Sequence, residues 1–152
     1  MRNQNIDQCW QFQHGLYDEF PDAEKAKSIR EVNLPHDYMI ESNVSESAAS
    51  GPASGYFTKG VAYYTKLIDI PQEWEQEAVY LHFDGIMMNA TVDINGCKAI
   101  LQHNGYIPFS VNITPYLYFG KKNRVTITVA PSMQPNSRWY SGAGIFRSIE
   151  LL

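Results

Sequence analysis

Three stretches of this 152-residue chain combine side chains that can do chemistry. The first is His36-Asp37, directly after Pro35. A histidine beside an aspartate invites an acid–base reading, because an imidazole titrates near neutrality and a carboxylate can orient it. The same pair after a proline also suits a turn, with the aspartate accepting backbone N–H bonds and the histidine partly buried, and that reading is the stronger. The second stretch is His103-Asn104, on a polar loop ahead of Gly105-Tyr106. It fits a contact with a ligand or an adjoining domain, and it fits a plain turn better. The third is Arg138-Trp139-Tyr140, inside the polar, turn-rich segment from Pro131 to Gly144. Gly142 and Gly144 within it predict positive φ or close backbone approach. Asp84, before Gly85, reads as a turn residue.

No set of His, Asp and Cys has metal-ligand spacing, so neither a metal nor any other cofactor is expected. A structural Ca²⁺ held by backbone carbonyls would leave no mark in sequence. Cys9 and Cys97 are too few and too far apart for a disulfide scaffold or a zinc signature, and read as reduced thiols.

The length of the chain suits one domain, 1–152, able to bury a core without staples. Ten Tyr, seven Phe and three Trp raise the aromatic share to 13%. Pleated, half-buried surfaces absorb such residues. Sugar sites do as well, since a flat ring covers the apolar C–H face of a pyranose while polar neighbours bond its hydroxyls. The net charge of −4 and the absence of long Lys/Arg runs argue against a nucleic-acid partner. No apolar run approaches a membrane span, and the first twenty residues lack a stretch of signal-peptide length, which together point to the cytoplasm.

The elements that must position these residues are strands. In Asn123–Ala130, Val125, Ile127 and Val129 alternate with Arg124, Thr126 and Thr128. Val79, Leu81 and Phe83 alternate with Tyr80 and His82 in the same way. Asn95-Gly96 between Thr91–Ile94 and Cys97–Ile100 predicts a type I′ hairpin. Residues 61–70 are apolar on both sides at their centre, hence an internal strand, stopped by Pro71. A strand near Trp10–Gln13 and a last one over Ile145–Leu152 complete about eight. A short helical turn is expected where Thr114 caps, Pro115 starts and Gly120 follows. Ser42–Gly55, rich in Ser, Ala and Gly, reads as a long mobile loop that orders only beside neighbouring domains. The pattern predicts an all-β sandwich.

Four segments in register resemble the N-terminal sugar-binding domain of glycoside hydrolase family 2. They are Leu34-Pro-His-Asp-Tyr38, Gly60-Val-Ala-Tyr-Tyr-Thr-Lys66, Leu81-His-Phe-Asp-Gly-Ile86 with the stretch to Thr114, and Arg138-Trp-Tyr-Ser-Gly-Ala-Gly-Ile-Phe-Arg147. The resemblance covers essentially the whole chain. It implies a jelly-roll β-sandwich, similar to galactose-binding domains, ahead of an immunoglobulin-like domain and a catalytic (β/α)8 barrel. It also implies a β-galactosidase-like parent acting on carbohydrate, of a kind that is often a homo-oligomer. The family's two catalytic glutamates belong to the barrel. None of the sixteen Asp and Glu here is marked as their equivalent, so no catalytic residue is assigned and the chain is expected to be inactive alone.

Family members bring the loop before the last strand against the barrel's sugar pocket. Two arrangements fit the residues there. In one, Trp139 or Tyr140 flanks a sugar and Arg138 bonds a hydroxyl or carboxylate. In the other, the rings pack under the loop and Arg138 is paired internally. Some galactosidases of the family present an aspartate at the position best aligned with Arg138, so that contact differs here. Arg147 is expected in a salt bridge or a domain contact. A free-standing carbohydrate-binding module or lectin is the rival reading, and needs a complete sugar pocket of its own.

Overall fold

The computed structural model describes residues 3–16, 29–41, 43–48, 51–57, 60–131 and 142–152. Twelve strands occur among them: β1 (Gln4–Asn5), β2 (Trp10–Leu16), β3 (Arg30–Val32), β4 (His36–Asp37), β5 (Gly60–Ile70), β6 (Tyr80–Phe83), β7 (Ala90–Ile94), β8 (Cys97–Gln102), β9 (Phe109–Asn112), β10 (Lys121–Val129), β11 (Gly144–Ile145) and β12 (Ile149–Leu151). They form a six-stranded sheet ordered β3-β2-β5-β10-β7-β8, a four-stranded sheet ordered β1-β12-β6-β9, and the pair β11-β4. Every pairing is antiparallel.

The two large sheets share one core, which makes the fold the expected all-β sandwich. β10 lies at the centre of the larger sheet, between β5 and β7, in a register that sets Ile127 beside both Tyr64 and Val92. Val125, Ile127 and Val129 are fully buried, as their alternation predicts. Ala62, Tyr64, Ile68 and Ile70 of β5 face the same way, while Leu67 and Asp69 face solvent. The smaller sheet answers with Leu81, Phe83, Val111, Ile149 and Leu151, and Phe83 stacks on Phe109 at 4.7 Å and 13°. Each such aliphatic or aromatic side chain taken out of water contributes about 1.5–3 kcal/mol.

Several details differ from expectation. The strands beyond eight are mostly pieces of two or three residues (β1, β3, β4 and β11), too short to show alternation. The expected last strand is split, because the chain leaves one sheet after Ile145 and enters another at Ile149. Between them the Phe146 ring covers Gly85, where a Cβ would lie 2.6 Å from the ring. The expected helical turn is a single 3₁₀ turn, Thr114–Tyr116. Thr114 does not cap it; its hydroxyl instead accepts from the Val79 backbone N–H at 2.8 Å and donates to the Val79 carbonyl at 3.3 Å. Within 42–55, the described residues are not an open run. A bridge between Val44 and Phe57, the Ser45 N–H bonded to the Tyr56 carbonyl, and a 3₁₀ turn at Gly51–Ser54 close the excursion on itself. The hairpin is as read: Asn95 and Gly96 both have positive φ, 52° and 84°.

The 3₁₀ turn is short because Asn123 captures the backbone that leaves it. Asn123 is wholly buried among apolar strands, yet its amide is fully used. Its Oδ1 accepts from the Tyr118 N–H (2.7 Å) and Asn95 Nδ2 (2.8 Å), and its Nδ2 donates to the Tyr118 and Lys121 carbonyls (2.9 and 3.0 Å). Replacing it strands several buried polar groups at once, each costing about 1–3 kcal/mol. Asn123→Ala is therefore expected to lower the unfolding free energy by ~2–4 kcal/mol, read as a shifted urea midpoint.

Candidate functional site: the loop end of the sandwich

Strand register assigns the loops to two ends. Leu16 pairs with Gly60, Val129 with Ala62 and Ala90, and Ala90 with Gln102. In the other sheet Phe83 pairs with Phe109 and Ile149. The described ends of 38–59 and 130–143 and the connections 84–89, 103–108 and 146–148 consequently gather at one end. His103 and Asn104 sit there, and so do the two points where the chain enters and leaves 132–141.

Both points are fixed by contacts made elsewhere. On the outgoing side, the Ala130 N–H reaches the Asn89 carbonyl and Pro131 is buried. On the return side, Asp37 Oδ1 accepts from the N–H groups of Met39 and Ala143, each at 3.0 Å. Tyr38 N–H donates to the Ala143 carbonyl at 3.0 Å, and Gly144 exchanges two 2.9 Å bonds with Met87. Gly142 and Gly144 do have positive φ, 68° and 132°. At Gly144 a Cβ would come within 2.3 Å of the His36 carbonyl oxygen and 2.8 Å of the Tyr64 hydroxyl, so only glycine fits.

Asp37 is thus the turn-forming acceptor its sequence context suggests, and His36 beside it is buried. His36 belongs to a polar cluster that sequence reasoning did not anticipate. Its Nδ1 lies 2.8 Å from the Tyr64 hydroxyl and its Nε2 lies 3.2 Å from Glu41 Oε1, while Arg30 pairs with the other Glu41 oxygen. One tautomer satisfies both histidine contacts: Nδ1 accepts from the tyrosine and protonated Nε2 donates to the carboxylate. Phe12 closes the cluster edge-on to His36 at 4.6 Å, with the Arg30 guanidinium 5.0 Å above its ring. Burial holds the His36 pKa below its ordinary value, against the opposing pull of Glu41. Burial also raises the Tyr64 phenol. The only hint of this cluster in the sequence is a tyrosine at an inward position of an internal strand.

His103 and Asn104 are exposed and mainly shape their loop. His103 Nδ1 lies 2.9 Å from Asn89 Oδ1, and Asn104 Oδ1 accepts the Tyr106 N–H at 2.8 Å. Through Asn89, His103 is tied to the start of 132–141. Tyr106 follows with 70% of its surface exposed, a ring that sequence reasoning passed over as a contact residue. Arg138, Trp139 and Tyr140 lie outside the described residues. Arg147 is exposed, its guanidinium 5.7 Å from the Phe146 ring, and no carboxylate pairs with it among the described residues. Asp84 lies 3.3 Å from His82.

Of the described carboxylates here, Asp37 is occupied by backbone donors and Glu41 by Arg30 and His36. Retaining hydrolysis of a glycosidic bond needs two carboxyl groups about 5–5.5 Å apart across the substrate, one of them protonated. Among the described residues no group of three or more His, Cys, Asp or Glu is placed to hold a metal ion, and both cysteines are free and exposed. No described helix is long and apolar enough to cross a membrane.

The family model for the sugar-binding domain of glycosyl hydrolases family 2 matches residues 3–152. The chain belongs to that family. Among curated relatives, the domain is 39% identical over 122 residues to the β-galactosidase BoGH2A of Bacteroides ovatus, covering 80% of this chain and 14% of the relative. It is 31% identical over 129 residues to a β-glucuronidase of Bacteroides fragilis, covering 81% of this chain and 17% of that one. Among solved structures, a β-glycosidase from Bacteroides vulgatus superposes with a TM-score of 0.86 at 32% identity, covering 100% of this chain and 20% of that one. The family 2 domain thus spans a small part of much longer proteins.

Two changes probe how the domain holds this end. Gly144→Ala is expected to cost ~1–3 kcal/mol from backbone strain alone, with displacement of the His36 carbonyl adding to it; chemical denaturation measures the loss. His36 gives a pH dependence of definite sign. Its folded pKa lies below the unfolded value near 6.5, so the unfolded chain binds the proton first as pH falls. The stability it contributes is complete above 6.5 and declines as pH drops through the folded value. Urea midpoints should fall on that acid side, and His36→Gln should flatten the decline.

Proposed function

We propose that this chain is the N-terminal accessory domain of a longer family 2 glycosidase of the β-galactosidase type. Its task is to present 132–141 as one wall of a sugar pocket whose catalytic carboxylates belong to a (β/α)8 barrel further along the polypeptide, beyond an immunoglobulin-like domain. The observation that carries this reading is the double anchoring of the residues that flank that segment, at Ala130 through Asn89 and at Ala143 through Asp37. Such anchoring suits a loop that must be held in position against something outside the domain. In this reading Trp139 or Tyr140 covers the apolar face of the sugar and Arg138 bonds a hydroxyl or carboxylate. His103 and Asn104 flank the same pocket. The galactosidase preference is supported by the 39% identity to the Bacteroides ovatus enzyme, and the glucuronidase alternative by relatives such as that of Bacteroides fragilis.

The test is to produce the chain with its native continuation and compare aryl β-galactoside with aryl β-glucuronide hydrolysis. The expected result is a kcat/KM favouring the galactoside by about tenfold or more, with no turnover by residues 1–152 alone. Trp139→Ala in the longer protein should raise KM about tenfold, the loss of roughly 1.4 kcal/mol of binding. A preference for the glucuronide would replace the substrate assignment and keep the architecture. Micromolar binding of a free monosaccharide by residues 1–152 would instead favour a self-sufficient lectin.

A further inference from the structure

The opposite end of the sandwich carries a groove of about 420 Å³, remote from the loops just described. Its walls include Gln4, Trp74, Glu77, Ala78, Tyr80 and Leu152. Register puts it at the far end of the smaller sheet, since Gln4 pairs with Leu151 while Phe83 and Ile149 lie at the loop end. Ala78 and Tyr80 are exposed, and Trp74 and Leu152 are half-buried. Contiguous apolar surface of this kind on a soluble domain marks a place that something else covers.

We propose that the groove seats the stretch of polypeptide that directly follows Leu152, the start of the next domain of the parent enzyme; the inference rests on the reading above. Leu152 is not a frayed residue. Its N–H donates to the Tyr80 carbonyl at 2.9 Å and its carbonyl accepts the Tyr80 N–H at 3.0 Å, so β-pairing persists into the groove wall. Any residue joined to Leu152 therefore begins its path there. The long relatives, of which this domain spans 14% and 17%, supply several hundred residues for that role. A tethered segment also has a large advantage over free partners, because a short linker holds it at an effective concentration of order millimolar. A second copy of the domain would have to compete from solution. Glu77 is the one charged residue of the lining, so the walls match an apolar segment of the following chain better than a charged one.

Ala78→Glu tests the proposal, since Ala78 is exposed and outside the core. Amide exchange of peptide 72–80 is measured in the longer protein and in residues 1–152, whose two large sheets share one buried core. The expected result is exchange at least about tenfold slower in the longer protein. Ala78→Glu should abolish that difference while leaving the melting temperature of residues 1–152 unchanged. Equal exchange in both, in a longer protein that hydrolyses glycosides, overturns the groove proposal and leaves the function standing. Protection in a longer protein without glycosidase activity does the reverse. Dimerisation of residues 1–152 that Ala78→Glu removes would give the groove to a second copy and overturn the proposal.

Discussion

The antiparallel clasp between His36-Asp37 and Gly144-Ile145 fixes how this sandwich ends. Two short strands belonging to neither large sheet meet there, in a register that aligns Ile145 with His36. The clasp works because position 144 carries no side chain: the His36 carbonyl and the Tyr64 hydroxyl occupy the volume a Cβ would need. Asp37 then reaches across to the Ala143 N–H, and Met87 brings the 84–89 connection onto the same glycine. Segments far apart in sequence are thereby held by backbone groups that have few alternative partners. Without the clasp, β10 and β12 would still be strands, but the connection between them would have no defined landing point.

Among the described residues, buried Asn123, His36 and Asp7 do positional work, each through its hydrogen bonds. Asn123 fastens the 113–121 connection at one end, and His36 with Tyr64 and Glu41 backs the clasp at the other. Asp7, also buried, accepts the Ile149 N–H at 2.8 Å and Asn5 Nδ2 at 2.7 Å, tying the N-terminal strand to the C-terminal one. Such groups are costly to bury alone and inexpensive once paired, so they specify geometry that apolar contacts leave loose. A scaffold built this way fixes its backbone path by pairing as well as by packing.

Sandwich architecture was legible where a strand was long enough to repeat its period. β10 and the β7–β8 hairpin carry the signal over several residues, and Asn95-Gly96 names its own turn. The clasp strands were invisible as strands, since two residues cannot display alternation; only Gly142, Gly144 and Asp37 betrayed a constraint. The His36 cluster was missed for a different reason. It assembles Arg30, Glu41 and Tyr64 from three separate elements, and no local pattern links them. Thr114 shows a third kind of difference: a good cap in isolation, it is drawn to Val79 by a tertiary contact. His103 and Asn104 were placed rightly on a polar loop, and their bonds to Asn89 and Tyr106 are those of loop-shaping residues.

The separation of the anchors from the ten residues between them bears on how such a domain diversifies. The residues that flank 132–141 are held through backbone N–H groups, Ala130 by the Asn89 carbonyl and Ala143 by the Asp37 carboxylate. Bonds of that kind place little demand on which side chains stand at positions 130 and 143. The clasp acts as a socket whose rim is set mainly by backbone bonds.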